Sequence, residues 1–285
     1  MNIEIKFLGI AQDAGIPQLA CTCKLCTDIK NGLKKSESPV ALGITNKKTG
    51  KKFLLEATPE LPKQYQNFIN IKEKENLSAI ILTHAHIGHY TGLMFLGREA
   101  LNTKKLKVFT TDKMSIFLEN NAPWNQLIKL ENIEIERIQN LKKIEIDDGL
   151  FLTPIEVKHR NEYADTCGFI IEGNEKIFFV PDIDSWEGFE ENLISLANEC
   201  KYLIVDGTFY TKDEISLIRG RDIKEIPHPS VEDTLKLVEK YNLNPNKFIF
   251  THFNHSNRLL HDENLKNSIE KKGFLISKEG MKIFI

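Results

Sequence analysis

Short apolar, β-rich runs recur along the chain, and each is followed by a metal-type residue. Runs of this kind are typical of strands buried on both faces, in sheets that helices cover. The runs and their following residues are Leu77–Thr83 with His84, Ile155–Val157 with His159, Ile177–Val180 with Asp182, Tyr202–Val205 with Asp206, and Phe248–Thr251 with His252. Because α/β folds place their chemistry at one rim of the sheets, the pattern predicts an α/β protein with a site there.

Helical patterns lie between these runs, at Pro62–Ile71, Gly92–Leu101, Lys113–Glu119, Phe189–Cys200 and Val231–Tyr241. Ser230 with Asp233 has the spacing of a capping box and predicts the start of the last helix. Val40–Thr45 and Lys52–Glu56 flank a turn-like segment and predict a hairpin. Since β and α elements mix along the whole chain without a linker, we expect a single domain over residues 1–285 with helices outside buried sheets.

Charge and hydropathy restrict the partners. The 285 residues carry 38 Lys+Arg and 40 Asp+Glu, a net charge of −2, so no basic field favours nucleic acid as a partner. No stretch approaches the ~18–20 apolar residues of a membrane helix, and the first residues alternate like a strand, unlike a signal peptide. We therefore expect a cytoplasmic protein with a small-molecule or short-peptide substrate. The sequence leaves the oligomeric state open.

Three of the eight histidines fall within the six-residue segment His84-Ala85-His86-Ile87-Gly88-His89. Side chains two apart on an extended segment point the same way, so His84 and His86 can share one ion. His89 sits at a predicted helix start and approaches from another direction. Neutral imidazole is a common ligand for zinc and for iron. The segment therefore predicts a metal centre; the alternative is three unrelated surface or capping histidines.

The same segment resembles the His-x-His-x-Asp-His signature of the metallo-β-lactamase superfamily. The resemblance implies a four-layer αββα sandwich of the metallo-β-lactamase type. It also implies three later ligands, with His159 and His252 as further imidazoles and Asp182 as a bridging carboxylate. Taken singly, His159 could be a surface residue and Asp182 a turn cap. Their order and their strand-end positions favour the ligand interpretation.

Gly88 departs from the signature, because the superfamily normally has Asp there, a ligand of the second metal. The resemblance then implies one site with a complete set of ligands, formed by His84, His86, His159 and Asp182. The second site keeps His89, His252 and the shared Asp182, which are fewer protein ligands than a zinc site usually has. We expect one tightly bound active-site ion, zinc or iron, and a weak or substituted second site.

A second metal site is predicted from Cys21, Cys23 and Cys26, which form a Cys-x-Cys-x-x-Cys knuckle at residues 21–26. In a reducing compartment such a cluster favours metal over disulfides. Three thiolates can wrap a structural zinc ion and leave one tetrahedral position, for which we predict His228, between Pro227 and Pro229. Redox-active thiols or plain buried thiols are the alternatives. With one active-site ion, we expect about two ions per chain.

The segment Gly9–Gln18, followed by the cysteines, resembles the opening of the coenzyme PQQ biosynthesis protein B (PqqB-like) family, and Val205–Tyr210 is similar to a second stretch of it. Pro227–Pro229 and His252–Asn257 match more loosely. Phosphonate-pathway phosphodiesterases of the superfamily share a three-Cys-plus-His zinc knuckle. Many PQQ-synthesis members lack several active-site histidines. This chain keeps His84 and His86, which favours retained metal chemistry.

Three functions follow as hypotheses. The leading one is a metal-dependent hydrolase, in which metal-bound water attacks an ester or phosphodiester-type bond. Asp182 would hold the ion and accept a proton, and His252 would stabilise the oxyanion. The PqqB-like resemblance implies an alternative, an iron-dependent oxygenase that acts on a peptide in PQQ-type biosynthesis. A third is a non-catalytic small-molecule binding or carrier protein, and the best support for it is Gly88 in place of the usual Asp. Asp206 is a candidate to orient a ligating histidine through its other ring nitrogen.

Overall fold

Two seven-stranded mixed sheets carry the fold in the computed structural model, which describes residues 2–70, 76–217 and 226–285. The strands of the first sheet are β1 Ile3–Gly9, β2 Ala41–Asn46, β3 Lys52–Leu55, β4 Leu77–Ile81, β5 Leu106–Thr111, β6 Ile133–Ile138 and β14 Lys282–Phe284. Those of the second are β7 Ile144–Asp147, β8 Leu150–Val157, β9 Thr166–Glu172, β10 Lys176–Val180, β11 Tyr202–Asp206, β12 Phe248–Thr251 and β13 Leu275–Ile276. The strand orders are β14-β1-β2-β3-β4-β5-β6 and β13-β12-β11-β10-β9-β8-β7.

Helices join the strands. In the described parts of the chain they are α1 Lys24–Lys30, α2 Leu61–Phe68, α3 Ile87–Tyr90, α4 Asp112–Asn120, α5 Trp124–Lys129, α6 Glu190–Glu199, α7 Val231–Lys240 and α8 Glu263–Lys271. None of these is long and apolar enough to cross a membrane. The capping box predicted at Ser230 and Asp233 starts α7, with each side chain accepting from the other residue's backbone N–H.

Successive side chains along a strand point to opposite faces of the sheet, and so they contribute to two different apolar layers. In β3, Phe53 and Leu55 join the core between the sheets, which also contains Phe169 of the second sheet. Leu54, between them, faces the other way and joins a second cluster with Leu61 of α2 and with residues of α4 and α5. On the far side, α6 and α7 add apolar residues to the core of the second sheet. The layers run helix, sheet, sheet, helix, which confirms the predicted four-layer αββα sandwich.

Strand direction collects the predicted site residues at one rim. β3, β4, β5 and β6 are mutually parallel, and so are β10, β11, β12 and β13. β1 and β8 each lie two antiparallel steps away, so they run in the same direction as the parallel strands of their sheets. The carboxyl ends of these strands therefore open on the same side, as the strand-end pattern predicts.

Most predicted elements are confirmed with ends shifted by a few residues, including the β2–β3 hairpin. Ile71, the last residue of the helix predicted over Pro62–Ile71, lies outside the described residues. The helix predicted over Gly92–Leu101 is wrong: a short 3-10 helix, Thr91–Leu96, follows α3. Ala57 replaces the helical hydrogen bonds here, because its N–H donates to His89 and its carbonyl accepts from Gly92. A Cβ on Gly92 would lie 2.1 Å from the Thr58 carbonyl oxygen, so only glycine allows this approach.

Asp147 of β7 links the second sheet to the β2–β3 turn of the first sheet. Its side chain accepts from Asn46 Nδ2 at 2.8 Å and from Lys51 Nζ at 2.9 Å, and also from the Thr49 hydroxyl. Burial raises the pKa of Asp147, but the hydrogen bonds from Thr49 and Lys51 outweigh it and hold the pKa below its usual value. The ionised form is thus favoured in the folded protein.

We predict that Asp147→Asn lowers the free energy of unfolding by about 1–3 kcal/mol, because buried donors lose a charged acceptor. The matched control is Asp148→Asn, at an exposed neighbour whose ion pair with Lys48 is worth about 0–1 kcal/mol. The folded-state pKa is lowered, so this contribution is complete above the ordinary value of 3.8 and is lost as the pH falls through the folded value. Urea unfolding at neutral and acidic pH measures both; equal losses for the two variants would contradict the prediction.

Candidate metal centre

The first group of predicted ligands meets around one point. His86 Nδ1 lies 3.0 Å from both His84 Nε2 and His159 Nε2. Asp182 Oδ2 lies 3.1 Å from His159 Nε2, 3.4 Å from His84 Nε2 and 3.9 Å from His86 Nδ1. Ligand bonds of about 2.0–2.2 Å to zinc place neighbouring ligand atoms roughly 3.3–3.6 Å apart in a tetrahedron. The four atoms therefore have the spacing of a coordination shell.

Outer hydrogen bonds fix which ring nitrogen of each imidazole faces this point. His159 Nδ1 lies 2.9 Å from Asp184 Oδ1, and His86 Nε2 lies 3.1 Å from Glu162 Oε2. A carboxylate only accepts, so both outer nitrogens carry the proton. In the neutral rings, the inner nitrogens, His159 Nε2 and His86 Nδ1, then present lone pairs.

His84 reaches the same state through a hydroxyl. Thr83 donates its single hydroxyl proton to buried Glu56 at 2.5 Å, so its oxygen accepts from His84 Nδ1 at 2.8 Å. His84 Nε2 therefore also presents a lone pair. Three lone pairs and a carboxylate oxygen that face one another repel unless a positive charge lies between them. The donor set fits a divalent cation, with the outer partners that such ligands require.

The local pKa values show that this point favours positive charge, either as a proton on His159 or as a cation. Burial, and then His89, hold the pKa of His84 well below its usual value, which keeps the ring neutral. Burial raises the pKa of Asp182, but His159 and His228 outweigh it and hold the pKa well below its usual range. Burial lowers the pKa of His159, whereas Asp182 and Asp184 raise it to about 9. The carboxylates thus favour positive charge where the four atoms meet.

A second group adjoins the first and contains a residue that the sequence did not indicate. Asp13, from the loop after β1, places Oδ1 3.1 Å from His89 Nε2 and 3.7 Å from His252 Nε2. Asp182 Oδ2 lies 3.9 Å from His89 Nε2, so this carboxylate adjoins both groups. Burial lowers the pKa of His89, but Glu56 and Asp13 outweigh it and hold it well above its usual value. The sequence-based expectation counted three ligand-type residues in this group, and the structure adds the carboxylate of Asp13 beside them.

His228 lies in this centre and not at the cysteines, so its prediction as a knuckle ligand is wrong. Its Nδ1 is 2.7 Å from Asp206 Oδ2 and 3.4 Å from Asp182 Oδ1, and its ring lies 5.9 Å from that of His252. The proline-flanked segment before α7 packs against the end of β11, which carries Asp206 and draws the imidazole to the rim. Asp206, the candidate for orienting a ligating histidine, therefore contacts His228, and that role stays a prediction.

His255 takes the fourth position at the knuckle. Its Nδ1 lies 3.6 Å from both Cys21 Sγ and Cys23 Sγ, and with Cys26 Sγ the four atoms lie within 4.8 Å of one another. Burial raises the pKa of the Cys26 thiol to about 12, and the neighbouring sulfurs of Cys23 and Cys21 add to this effect. A bound cation would reverse this by stabilising the thiolates. The set fits the Cys₃His zinc site that was predicted, with His255 in place of His228.

Two centre residues other than glycine have backbone angles in the left-handed region. Glu56 has φ 81° and His252 has φ 63°. Such conformations cost on the order of 1–3 kcal/mol and persist where the surrounding structure enforces them. Both residues end buried strands and turn their side chains into the centre, which accounts for the strain.

A model of the beta-lactamase superfamily domain matches residues 51–253, a segment that contains all three imidazoles of the first group. The chain belongs to the beta-lactamase superfamily. One curated relative of the chain is the Coenzyme PQQ synthesis protein B of Nitrosococcus oceani. The two sequences are 25% identical, and the alignment covers 99% of each.

Solved structures show the same fold. The Zn²⁺-bound PqqB from Methylobacterium extorquens has a TM-score of 0.81 at 17% identity, covering 99% of this chain and 100% of that one. A diphosphatase of the PhnP family has a TM-score of 0.69 at 19% identity, covering 99% of this superfamily member and 97% of the neighbour. The resemblance to PqqB that the motifs indicated is therefore confirmed.

Five residues at the metal centre or the knuckle were not among the residues predicted from the sequence: Asp13, Glu56, Glu162, Asp184 and His255. Glu56 carried the strand-end signal, because it follows the apolar run Phe53–Leu55. Asp13 lay within the family-like segment Gly9–Gln18 but was not singled out. His255 lies three residues after His252, and this spacing was the sequence feature that could have indicated a second metal-binding histidine there. The metal-ligand roles of the predicted residues remain predictions, now with geometry that fits them.

We predict that His255→Ala removes the structural metal of the knuckle, whereas His228→Ala retains it. After cobalt substitution, a thiolate-to-metal absorption band reports the knuckle alone, because only this site contains sulfur ligands. His255→Ala should lose the band and lower the midpoint of thermal unfolding. Loss of the band in His228→Ala, with retention in His255→Ala, would contradict the assignment.

Proposed function

We propose that the chain is a metal-dependent hydrolase that cleaves a phosphodiester- or ester-type bond. The observation that carries the proposal is the convergence of His84 Nε2, His86 Nδ1 and His159 Nε2 on Asp182 Oδ2. A divalent cation held there supplies Lewis-acid polarisation of the scissile group and a water that ionises near neutral pH. Superfamily membership supports the metal chemistry, and the fold neighbour described as a diphosphatase supports a phosphorus–oxygen bond as the target.

Asp182 has two separate tasks in this proposal. Its Oδ2 faces the three imidazole nitrogens, while Oδ1 is buried with no hydrogen-bond partner in the described parts of the chain. A buried carboxylate oxygen with unused acceptor capacity can take a proton from the attacking water. Asp182 therefore both holds the cation and acts as the general base.

His228 is the candidate proton donor to the leaving group. Asp206 accepts from Nδ1 at 2.7 Å and fixes the ring, while Nε2 is buried and has no hydrogen-bond partner among the described residues. An imidazole held in this way can pass a proton from Nε2. His252, for which the sequence suggested oxyanion stabilisation, is turned towards Asp13 and is better placed as a ligand.

The substrate approaches from the side of His86. This side chain is 14% exposed, whereas that of His84 is only 2% exposed. Glu162 Oε2 lies 3.1 Å from His86 Nε2, and the next residue, Tyr163, is exposed and contacts Phe117 with 5.7 Å between ring centres. An opening flanked by an aromatic and a carboxylate suits a small molecule or a short peptide.

We predict that His84→Ala and His86→Ala each lower kcat/KM for bis(p-nitrophenyl) phosphate by roughly 100-fold or more. Mutation of a group that only hydrogen-bonds to a metal ligand already lowers metal affinity or activity by about 10–100-fold, and loss of a ligand itself should cost more. Metal analysis should show loss of the active-site ion with the knuckle ion retained. His261→Ala, at an exposed position outside the centre, is the control and should match the unaltered protein. Full turnover in a metal-depleted His84→Ala protein would discard the proposal.

A second candidate is an iron-dependent oxygenase that acts on a peptide. Near-full-length similarity to Coenzyme PQQ synthesis protein B favours it, as does a first group of three imidazoles and one carboxylate, which suits iron. Hydroxylation that uses one atom of O₂ and converts the other to water needs two electrons, so the assay must include a reductant such as ascorbate.

For this candidate we expect iron-loaded protein to consume oxygen in step with hydroxylation of a tyrosine-bearing peptide. Zinc-loaded protein is the control and should consume none. Equal oxygen uptake with and without the peptide would count against the oxygenase. The carrier hypothesis loses its main support, because Asp13 supplies the carboxylate whose absence at Gly88 suggested a lost site.

A further inference from the structure

We propose that Asp13 is a ligand of a second active-site cation, which it binds together with His89, His252 and the shared Asp182. Asp13 belongs to the loop after β1, far in sequence from the histidines. One oxygen atom, Oδ1, lies 3.1 Å from His89 Nε2 and 3.7 Å from His252 Nε2. The ligand-type atoms of the four residues lie within 4.8 Å of one another. This inference deepens the proposed hydrolase function, on which it rests.

Buried polar atoms in this group lack partners that a cation would supply. His252 is fully buried, and its Nε2 has no hydrogen-bond partner among the described residues. Its Nδ1 lies 2.9 Å from the Thr208 hydroxyl, which donates its own proton to the His252 carbonyl oxygen. With the hydroxyl proton on that carbonyl, Nδ1 carries the ring proton and Nε2 presents a lone pair towards Asp13. A buried acceptor without a donor is costly, and a cation between the two side chains removes that cost.

Position 88 cannot carry a side chain while Asp13 lies here. A Cβ built on Gly88 would lie 2.4 Å from Asp13 Cα and 2.6 Å from Asp13 Oδ1. These distances are well inside van der Waals contact, and the first atom belongs to the backbone. The glycine thus leaves room for a carboxylate that arrives from another loop, and the two positions are sterically coupled.

The Asp13 loop is fastened to the segment that carries His252. Gln12 N–H donates to the Phe253 carbonyl at 2.9 Å, and Phe253 N–H donates to the Ile10 carbonyl at 2.8 Å. Asn254 Nδ2 adds a side-chain bond to Gln12 Oε1 at 2.6 Å. The carboxylate and the imidazole therefore come from backbones held in fixed register, as a preorganised cation site requires.

The competing explanation is a structural one, in which Asp13 only forms an ion pair with a protonated His89. That role predicts lower stability of an Asp13 variant with unchanged metal binding. The ligand role predicts loss of one active-site cation with the other retained. Counting bound cations therefore separates the two roles without any measurement of turnover.

The experiment titrates Mn²⁺ into protein whose knuckle is loaded with zinc, because Mn²⁺ does not compete for thiolate ligands. We expect about two Mn²⁺ per chain, magnetically coupled in the EPR spectrum because metals that share a carboxylate lie about 3.5–4 Å apart. Asp13→Asn should retain one uncoupled Mn²⁺ and weaken the second roughly 100-fold or more, beyond the about 10–100-fold of an outer partner. Asp28→Asn, on α1 beyond the knuckle, is the matched control and should bind both.

Gly88→Ala provides an independent test, because it alters no ligand. The added methyl group should displace Asp13 and weaken the second Mn²⁺ while the first is retained. Coupled binding of two Mn²⁺ in Asp13→Asn, or a single Mn²⁺ in the unaltered protein, would overturn the inference and leave the hydrolase proposal standing. Absence of any active-site Mn²⁺ or Zn²⁺ binding in the unaltered protein would overturn the hydrolase proposal itself.

Discussion

Three imidazole lone pairs and one carboxylate oxygen share a buried point, and the outer hydrogen bonds enforce this arrangement. Asp184, Glu162 and the Thr83–Glu56 pair each occupy the outer nitrogen of one ring. Without them a ring could turn its N–H inward and make an ordinary hydrogen bond. With them, each neutral ring turns a lone pair towards the shared point, where a cation satisfies all three together. The predicted chemistry depends on this constraint more than on the identity of any single ligand.

The sandwich serves this constraint by bringing strand ends from both sheets to one rim. β4 leads into His84 and β3 into Glu56 in the first sheet, while β10 leads into Asp182 in the second. The apolar core between the sheets, which includes Phe53 and Phe169, holds these ends in register. A centre assembled from the termini of rigid elements keeps its geometry better than one carried on free loops.

Much of this could be predicted from the sequence, because the pattern was local. An apolar run followed by a polar residue identifies a strand end, and parallel strands share a rim, so His84, His159, Asp182 and His252 were brought together by inference alone. The mixture of buried strands and helices predicted an α/β protein, and the four αββα layers were implied by the resemblance to the metallo-β-lactamase superfamily.

What could not be predicted depends on long-range packing. His228 and His255 both follow polar or turn-like segments. The end of β11 places His228 beside Asp206, and backbone hydrogen bonds between Phe253 and the loop before the cysteines place His255 at the knuckle. Asp13 fills a space whose shape is set by Gly88, far away in sequence. The helix predicted after His89 was lost to tertiary hydrogen bonds with Ala57, which outweigh local helix propensity.

Anomalous diffraction from crystals grown with zinc tests the central claim most directly. The account predicts a peak about 2.0–2.2 Å from His84 Nε2, His86 Nδ1, His159 Nε2 and Asp182 Oδ2, with the outer hydrogen bonds unchanged. A map without density at that point, with the imidazoles instead turned to donate N–H groups to one another, would contradict it.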